Sequence, residues 1–216
     1  MAMGLFSKKP TQTSSSAPLY TIGNQKTILL VGLGNPGKEY ISTRHNVGFE
    51  CLDAFVSATS EFGGWVTKKD LSCVLTSTIL GSNRVIAIKP TTFMNDSGRA
   101  VRAVQDFYKI TPANIVIIHD ELDIPFGQIR SRVGGGSAGH NGIKSVTNHI
   151  GDAYGRIRIG IDSPHRIKNN EKDFVLKSWS KEEQAHMSAL HKEVTALLTE
   201  YLYGGTLAVE TRNFTV

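Results

Sequence analysis

The sequence predicts an α/β fold, a single-domain three-layer sandwich around a mixed, mostly parallel twisted sheet. Three observations carry this. The apolar runs Ile28–Val31 (continued by Leu33 past Gly32) and Ile115–His119 suit strands buried on both faces. Strand-like and helix-like segments alternate along most of the chain, the pattern of helices covering a sheet. Two β-rich runs, Leu71–Leu80 and Arg84–Lys89, are joined by Gly81-Ser82-Asn83, a hairpin signal that makes part of the sheet antiparallel.

Taken in order, the first strand ends in the glycine-rich turn Gly34–Gly37, and a polar run follows to His45. A helix from about Val47 to Ala58 places Phe49, Leu52, Phe55 and Val56 on its pattern. After the hairpin, Pro90 closes its second strand, and Asn95, Asp96 and Ser97 offer N-caps to a helix with Val101, Val104 and Phe107/Tyr108 on one face. That helix stops before Pro112. The strand at Ile115–His119 leads into Asp120-Glu121-Leu122-Asp123, and Pro125-Phe126-Gly127 turns the chain into Gln128–Val133, a basic strand with Arg130 and Arg132 on one face. A glycine loop, Gly134 to Gly142, precedes a short helix to Ile150. Arg156–Ile161 is a further strand, followed by a polar loop with His165, Arg166 and Lys168. Ser180-Lys181-Glu182-Glu183 reads as a capping box, and Met187, Leu190, Val194, Leu197 and Tyr201 recur at helical spacing until Gly204-Gly205.

Composition narrows the function classes. The 216 residues suffice for one domain with a full core. Twenty-four Lys and Arg against 19 acidic residues give a net charge of +5 and a pI near 9.2, a balance that suits a polyanionic partner. Cys51 and Cys73 lack C-x-x-C spacing and read as reduced core cysteines of a cytoplasmic protein. Residues 1 to about 25 are Ser/Thr-rich with no apolar run longer than Leu5-Phe6, which argues for a disordered tail and against a signal peptide or membrane span. The expected organisation is therefore an N-terminal tail (1–25), a catalytic domain (26–205) and a C-terminal tail (206–216).

Three motifs admit familiar chemistries. Gly32, Gly34 and Gly37 spell G-x-G-x-x-G, but a dinucleotide site needs a helix opening within the motif, and Lys38–Asn46 has no amphipathic stripe. Gly135-Gly136-Ser137-Ala138-Gly139 matches G-x-S-x-G, yet a nucleophile elbow needs a strand directly before the serine and a helix directly after it. His119-Asp120-Glu121-Leu122-Asp123 contains metal-ligand types, but successive strand side chains alternate faces, so Asp120 points away from His119 and Glu121. What remains is a set of groups at strand ends and helix starts: Asn35, His45, Asn95, Asp120, His140 and Asn141. A histidine oriented by a carboxylate can take a proton from water, while neutral amides hold a carbonyl and its developing oxyanion.

These residues also carry a resemblance. Gly32-Leu33-Gly34-Asn35-Pro36-Gly37 with Tyr40 and Arg44-His45-Asn46, then Lys89-Pro90-x-Thr92-Phe93-Met94-Asn95-x-Ser97-Gly98, His119–Asp123, and Gly139-His140-Asn141-Gly142 resemble the bacterial-type peptidyl-tRNA hydrolases over about Thr27 to Gly205. The resemblance implies hydrolysis of the ester between peptide and tRNA, without metal or cofactor, by a monomer. It implies that His45 is the catalytic base, Asp120 its partner and Asn35 a further catalytic-site residue. It makes Tyr40, Met94, Asn95, His140 and Asn141 substrate-binding, and sets Arg132 and Arg158 where the family clamps a tRNA phosphate. Arg132 replaces the usual lysine, and Ser137-Ala138 stand where a His-Gly pair is common. The alternative is an RNA-binding scaffold without turnover, since some chloroplast relatives act in intron splicing.

Overall fold

The computed structural model describes residues 25–164, 166 and 170–215. The tail expected over residues 1–25 therefore lies almost wholly outside the described residues, as do His165 and Lys168. Eight strands, β1 (Lys26–Gly32), β2 (Val66–Lys68), β3 (Cys73–Leu80), β4 (Asn83–Pro90), β5 (Ile115–Pro125), β6 (Gln128–Val133), β7 (Gly155–Asp162) and β8 (Thr211–Asn213), form one sheet in the order β2-β3-β4-β1-β5-β7-β6-β8. The central four run parallel and the flanking strands antiparallel, which gives the mixed sheet the sequence predicts.

The helices α1 (Val47–Ala58), α2 (Ser97–Tyr108), α3 (Asn141–Ile150), α4 (Glu171–Leu176), α5 (Lys181–Gln184) and α6 (Met187–Gly204) cover both faces. The period of two divides the strands between two cores. Ile28, Leu30, Val116 and Ile118 pack with Leu52 and Phe55 of α1 and Leu190, Val194 and Leu197 of α6. Leu29, Val31, Ile115 and Ile117 pack with Val101 and Val104 of α2 and Ile143 and Val146 of α3. Burial of both faces is why β1 and β5 read as unbroken apolar runs.

Four expectations change. Phe107 is 66% exposed, and Tyr108 takes the inward position, its ring 5.0 Å from the Arg84 guanidinium. None of Asn95, Asp96 and Ser97 caps α2 through its side chain; a 3-10 turn, Met94–Asp96, leads into the helix. The capping box at Ser180 and Glu183 is present, but it caps the short α5, and α6 starts separately. Residues beyond 205, expected as a tail, join the fold. β8 pairs with β6, Phe214 is buried against Phe126, and Arg212 pairs with Glu193, Glu200 and Glu210. Strands of three residues, all polar in β8 and with only Val66 apolar in the edge strand β2, carry no apolar periodicity by which to find them. No helix among the described residues is long and apolar enough to cross a membrane.

Candidate active site

The site forms where β1 ends and α1 begins, beside Asp120 in the middle of β5. Two glycines permit the approach. A Cβ on Gly48 would sit 2.3 Å from the Ile118 carbonyl oxygen, and one on Gly32 would sit 2.4 Å from that of Gly48. The first turn of α1 therefore lies directly on the sheet and sets His45, in the 3-10 turn before it, beside Asp120 of β5. The Lys38–Tyr40 stretch forms only another 3-10 turn, so no helix opens on the glycine motif, as the sequence predicts.

His45 Nδ1 lies 2.9 and 3.0 Å from the two Asp120 carboxylate oxygens. A carboxylate only accepts, so Nδ1 carries the proton and Nε2 remains the free ring nitrogen of a residue lining the cleft. Burial alone would lower the imidazole pKa, but the charge and hydrogen bond of Asp120 prevail and raise it above the ordinary 6.5. Asp120 is 2% exposed. Burial works to raise its own pKa, yet two imidazole partners prevail and hold it well below the usual carboxylate range.

The second partner is His140, whose Nε2 is 2.9 Å from Asp120 Oδ1. Its Nδ1 accepts from the backbone N–H groups of Gly142 at 3.0 Å and Ile143 at 3.3 Å, making His140 the N-cap of α3. The cap fixes the tautomer: Nδ1 has a lone pair, so the proton is on Nε2 and points at Asp120. His119, buried on the other side of His140 with ring centroids 5.0 Å apart, donates Nδ1–H to the Asp120 carbonyl at 2.7 Å. Burial and the nearby His140 hold its pKa well below 6.5.

His45, Asp120 and His140 also bring three ligand-type atoms within 4.8 Å of one another. The hydrogen bonding does not fit a metal. The His140 nitrogen that would coordinate holds its proton, because the helix amides occupy the other one.

Asn35 is positioned from three sides. The Asn46 side chain brackets its backbone, accepting from Asn35 N–H at 2.8 Å and donating to Asn35 O at 3.0 Å. The Asn35 side-chain oxygen accepts Met94 N–H at 2.7 Å, which leaves the Nδ2 amide as the free donor of a residue lining the cleft. Tyr40, Met94, Asn95, His140 and Asn141 line the same cleft, a space of about 760 Å3, so the structure brings all of these predicted residues together. Arg166 lines it too, donating to Leu122 O and pairing with Asp162 and Glu171.

Arg132 and Arg158 stand apart from this cleft on β6 and β7. The register pairs Arg130 with Arg158 and Arg132 with Arg156, so four guanidiniums share one face of the sheet. Arg156 is not part of any exposed surface. It is 1% exposed, donates to the carbonyls of Gly136 and Gly135 at 2.7 and 2.6 Å, and stacks on Tyr154. It holds the glycine loop in place. Arg158 is half-buried; burial and the repulsion of Arg132 lower its pKa, with Arg130 and Arg156 adding to the effect and Glu121 opposing it. Among the described residues, positive charge accumulates here without a full complement of carboxylates, which an anion would relieve.

Two contributors escape sequence reasoning. Asn46 looks like a turn residue, and only its hydrogen bonds with Asn35 reveal it. Arg44 is 3% exposed, bonds Glu183 at 2.6 Å, donates to the carbonyls of Phe174, Lys177 and Ser178, and lies against the rings of Phe174 and Trp179. It ties the residue next to His45 to α4, whose Val175 and Leu176 wall the cleft. The adjacent motif R-H-N is visible in the sequence, but its division of labour is not.

Ser137 is not among the residues lining the cleft, and the loop from Gly134 to His140 separates β6 from α3, so it is no elbow nucleophile. Ser137→Ala is expected to retain activity within about twofold, the size of effect ordinary for a surface change, in a turnover assay on the ester substrate. Loss of turnover would restore serine to the mechanism.

The chain is similar to known proteins over most of its length. A family model described as peptidyl-tRNA hydrolase matches residues 29–215, including the C-terminal strand that the sequence places in a tail. A peptidyl-tRNA hydrolase of Rickettsia conorii is 46% identical over 158 residues, covering 72% of this chain and 83% of its own. One of Methylocella silvestris is 41% identical over 189 residues, covering 87% and 93%. The crystal structure of peptidyl-tRNA hydrolase from Acinetobacter baumannii superposes with a TM-score of 0.77 at 34% identity, covering 83% of this chain and 90% of that one. With the family model spanning nearly all of the described residues, the chain belongs to the peptidyl-tRNA hydrolase family.

Proposed function

We propose that His45 is the general base, acting through a water molecule, in the reaction for which the family is named. The chain hydrolyses the ester between peptide and tRNA in peptidyl-tRNA, releasing free tRNA and peptide. The observation that supports the mechanism is the Asp120 carboxylate on His45 Nδ1, which leaves Nε2 to take a proton from water. The water oxygen bonds to the ester carbon, the carbon–ribose oxygen bond breaks, and the proton on His45 goes to the leaving ribose hydroxyl. The free amide of Asn35, with Asn95 and Asn141, donates to the carbonyl as it becomes an oxyanion. Tyr40, Met94 and His140 shape the cleft around it. No step requires a metal or cofactor in this reading, and activity is expected to persist in EDTA. We read the chain as a cytoplasmic monomer, in keeping with where peptidyl-tRNA arises.

Arg132 and Arg158 select tRNA by gripping a phosphate; planar guanidiniums suit bidentate contact with phosphate. Arg132→Ala and Arg158→Ala should each raise KM on full-length peptidyl-tRNA with kcat nearly intact. The slope of log KM against log salt should fall by about 0.7 to 0.9 for each phosphate no longer gripped. Unchanged KM and salt dependence in both variants would remove the clamp. Turnover of peptidyl-tRNA by the purified chain, compared with an RNA-binding assay on the same sample, tests the whole reading; binding without turnover would make the chain a scaffold.

A further inference from the structure

A second cavity of about 830 Å3 lies across the loop Pro36–Ser42 from the catalytic cleft. The two share Asn35; Tyr40 of the loop faces the cleft, Ile41 and Ser42 the cavity. Phe49, Trp179 and Met187 supply apolar walls, and Glu50, Asp53 and His191 polar ones. Lys89 is already committed, to Asp53 at 2.6 and 2.7 Å and to the Trp65 ring at 4.6 Å. Glu50 has no such cation among the described residues. Its Oε1 is buried without a hydrogen-bond partner, as is Nε2 of His191. Burial pushes the Glu50 carboxyl up to about 7, against the pull of the Trp179 indole, with Asp53 adding to the rise. Lys38 stands exposed at the rim.

The sheet gives this cavity a direction. The register runs Ile88, the residue before Lys89, beside Val31, Val31 beside Ile117, His119 beside Arg158, and Arg158 beside Arg130, so these positions lie near one level across neighbouring strands. Along that level the order is phosphate clamp on β6 and β7, Asp120 on β5, Asn35 after β1, and Lys89 on β4. A peptidyl-tRNA has two arms leaving its ester carbon. With the tRNA arm held on the β7 and β6 side, the peptide arm leaves toward β1 and β4.

We propose that this second cavity holds the peptide arm of the substrate, and that Glu50 there favours a basic side chain. The inference rests on the peptidyl-tRNA reading above. Two strand spacings separate β5 from β4, ~10 Å, which an extended peptide covers in ~3 residues. The third residue upstream of the ester reaches the cavity, and a single acylated residue does not. A lysine or arginine arriving there gives Glu50 the counter-charge it lacks, and the Phe49 and Trp179 rings accommodate its stem.

The test compares N-acetylaminoacyl-tRNA with tetrapeptidyl-tRNAs that share its esterified residue and carry Lys or Glu at the third position from the ester. The parent protein should show a KM lower by ~3-fold or more for the Lys peptide than for the Glu peptide, the scale of a partly screened ion pair. Glu50→Gln should abolish that preference and leave kinetics on N-acetylaminoacyl-tRNA unchanged. Met187→Phe, which narrows the cavity without touching charge, should raise KM for both tetrapeptides and not for the short substrate. Equal KM for the two peptides in the parent, or a Glu50→Gln effect that is the same on long and short substrates, would overturn the proposal. If the parent turned over none of these esters, the peptidyl-tRNA reading itself would fall, and this proposal with it.

Discussion

His45→Ala is expected to lower kcat on peptidyl-tRNA by at least ~10²-fold, the contribution typical of a positioned general base, with KM little changed and thermal stability close to that of the parent. The small effect on folding follows from position: His45 sits in a short turn, partly open to the cleft, and anchors no core. The large effect on rate follows from what the cleft holds besides it. His140 Nδ1 is occupied by helix amides and its Nε2 faces Asp120, while His119 is buried behind both, so neither neighbouring imidazole can substitute as base. A folded variant retaining kcat within a few fold would remove His45 from the chemistry.

Asp120→Asn should cost as much, ~10²-fold or more, through the tautomer rather than through weaker packing. The carboxylate accepts from two N–H donors, His45 Nδ1 and His140 Nε2. Both donors meet Oδ1 and His45 Nδ1 also lies 3.0 Å from Oδ2, so a carboxamide that keeps its oxygen at Oδ1 turns its NH2 group on His45, which must turn or move its proton. If His45 responds, its proton shifts to Nε2 and the base is lost. The pH profile separates this from simple loosening. With His45 as the proposed base, neutral imidazole is the active form, so kcat/KM of the parent should decline as pH falls through the His45 pKa, which lies above 6.5. Burial lowers that pKa and the Asp120 charge raises it, so removing the charge moves the acid limb to lower pH while the plateau drops. An acid limb that stayed in place, with kcat unchanged, would show that Asp120 sets neither.

The sheet, its buried strands and the covering helices were legible because period-two and helical patterns are local properties of sequence. Ile28–Val31 needs no distant information to be read as a buried strand. His45, Asp120 and Asn35 were legible for a related reason: each sits just past a readable element, in a polar stretch whose composition no core would select. What stayed hidden depends on pairings between distant segments. His140 is an unusual helix cap, and only the fold reveals that its other nitrogen serves Asp120, twenty residues away in sequence. Arg44 and Arg156 resemble solvated charges until burial and carbonyl partners identify them. Asn46 bonds a residue across a loop. β8 is three polar residues long, and its strand character is imposed by β6.

The placement of β7 has a consequence for how the protein acquires its activity. β5 and β6 are joined by a tight turn yet do not pair; β7, more than twenty residues later, enters between them. Such an insertion is a non-local event, slow to close compared with hairpins and helices. Until it happens, Arg158 has no place beside Arg132, and β5 lacks the neighbour that holds Asp120 at its level opposite Ile159. On the proposed mechanism, grip on tRNA and cleavage of its ester are thus completed by one closure of the sheet, and a partly folded chain is unlike an enzyme in both respects at once.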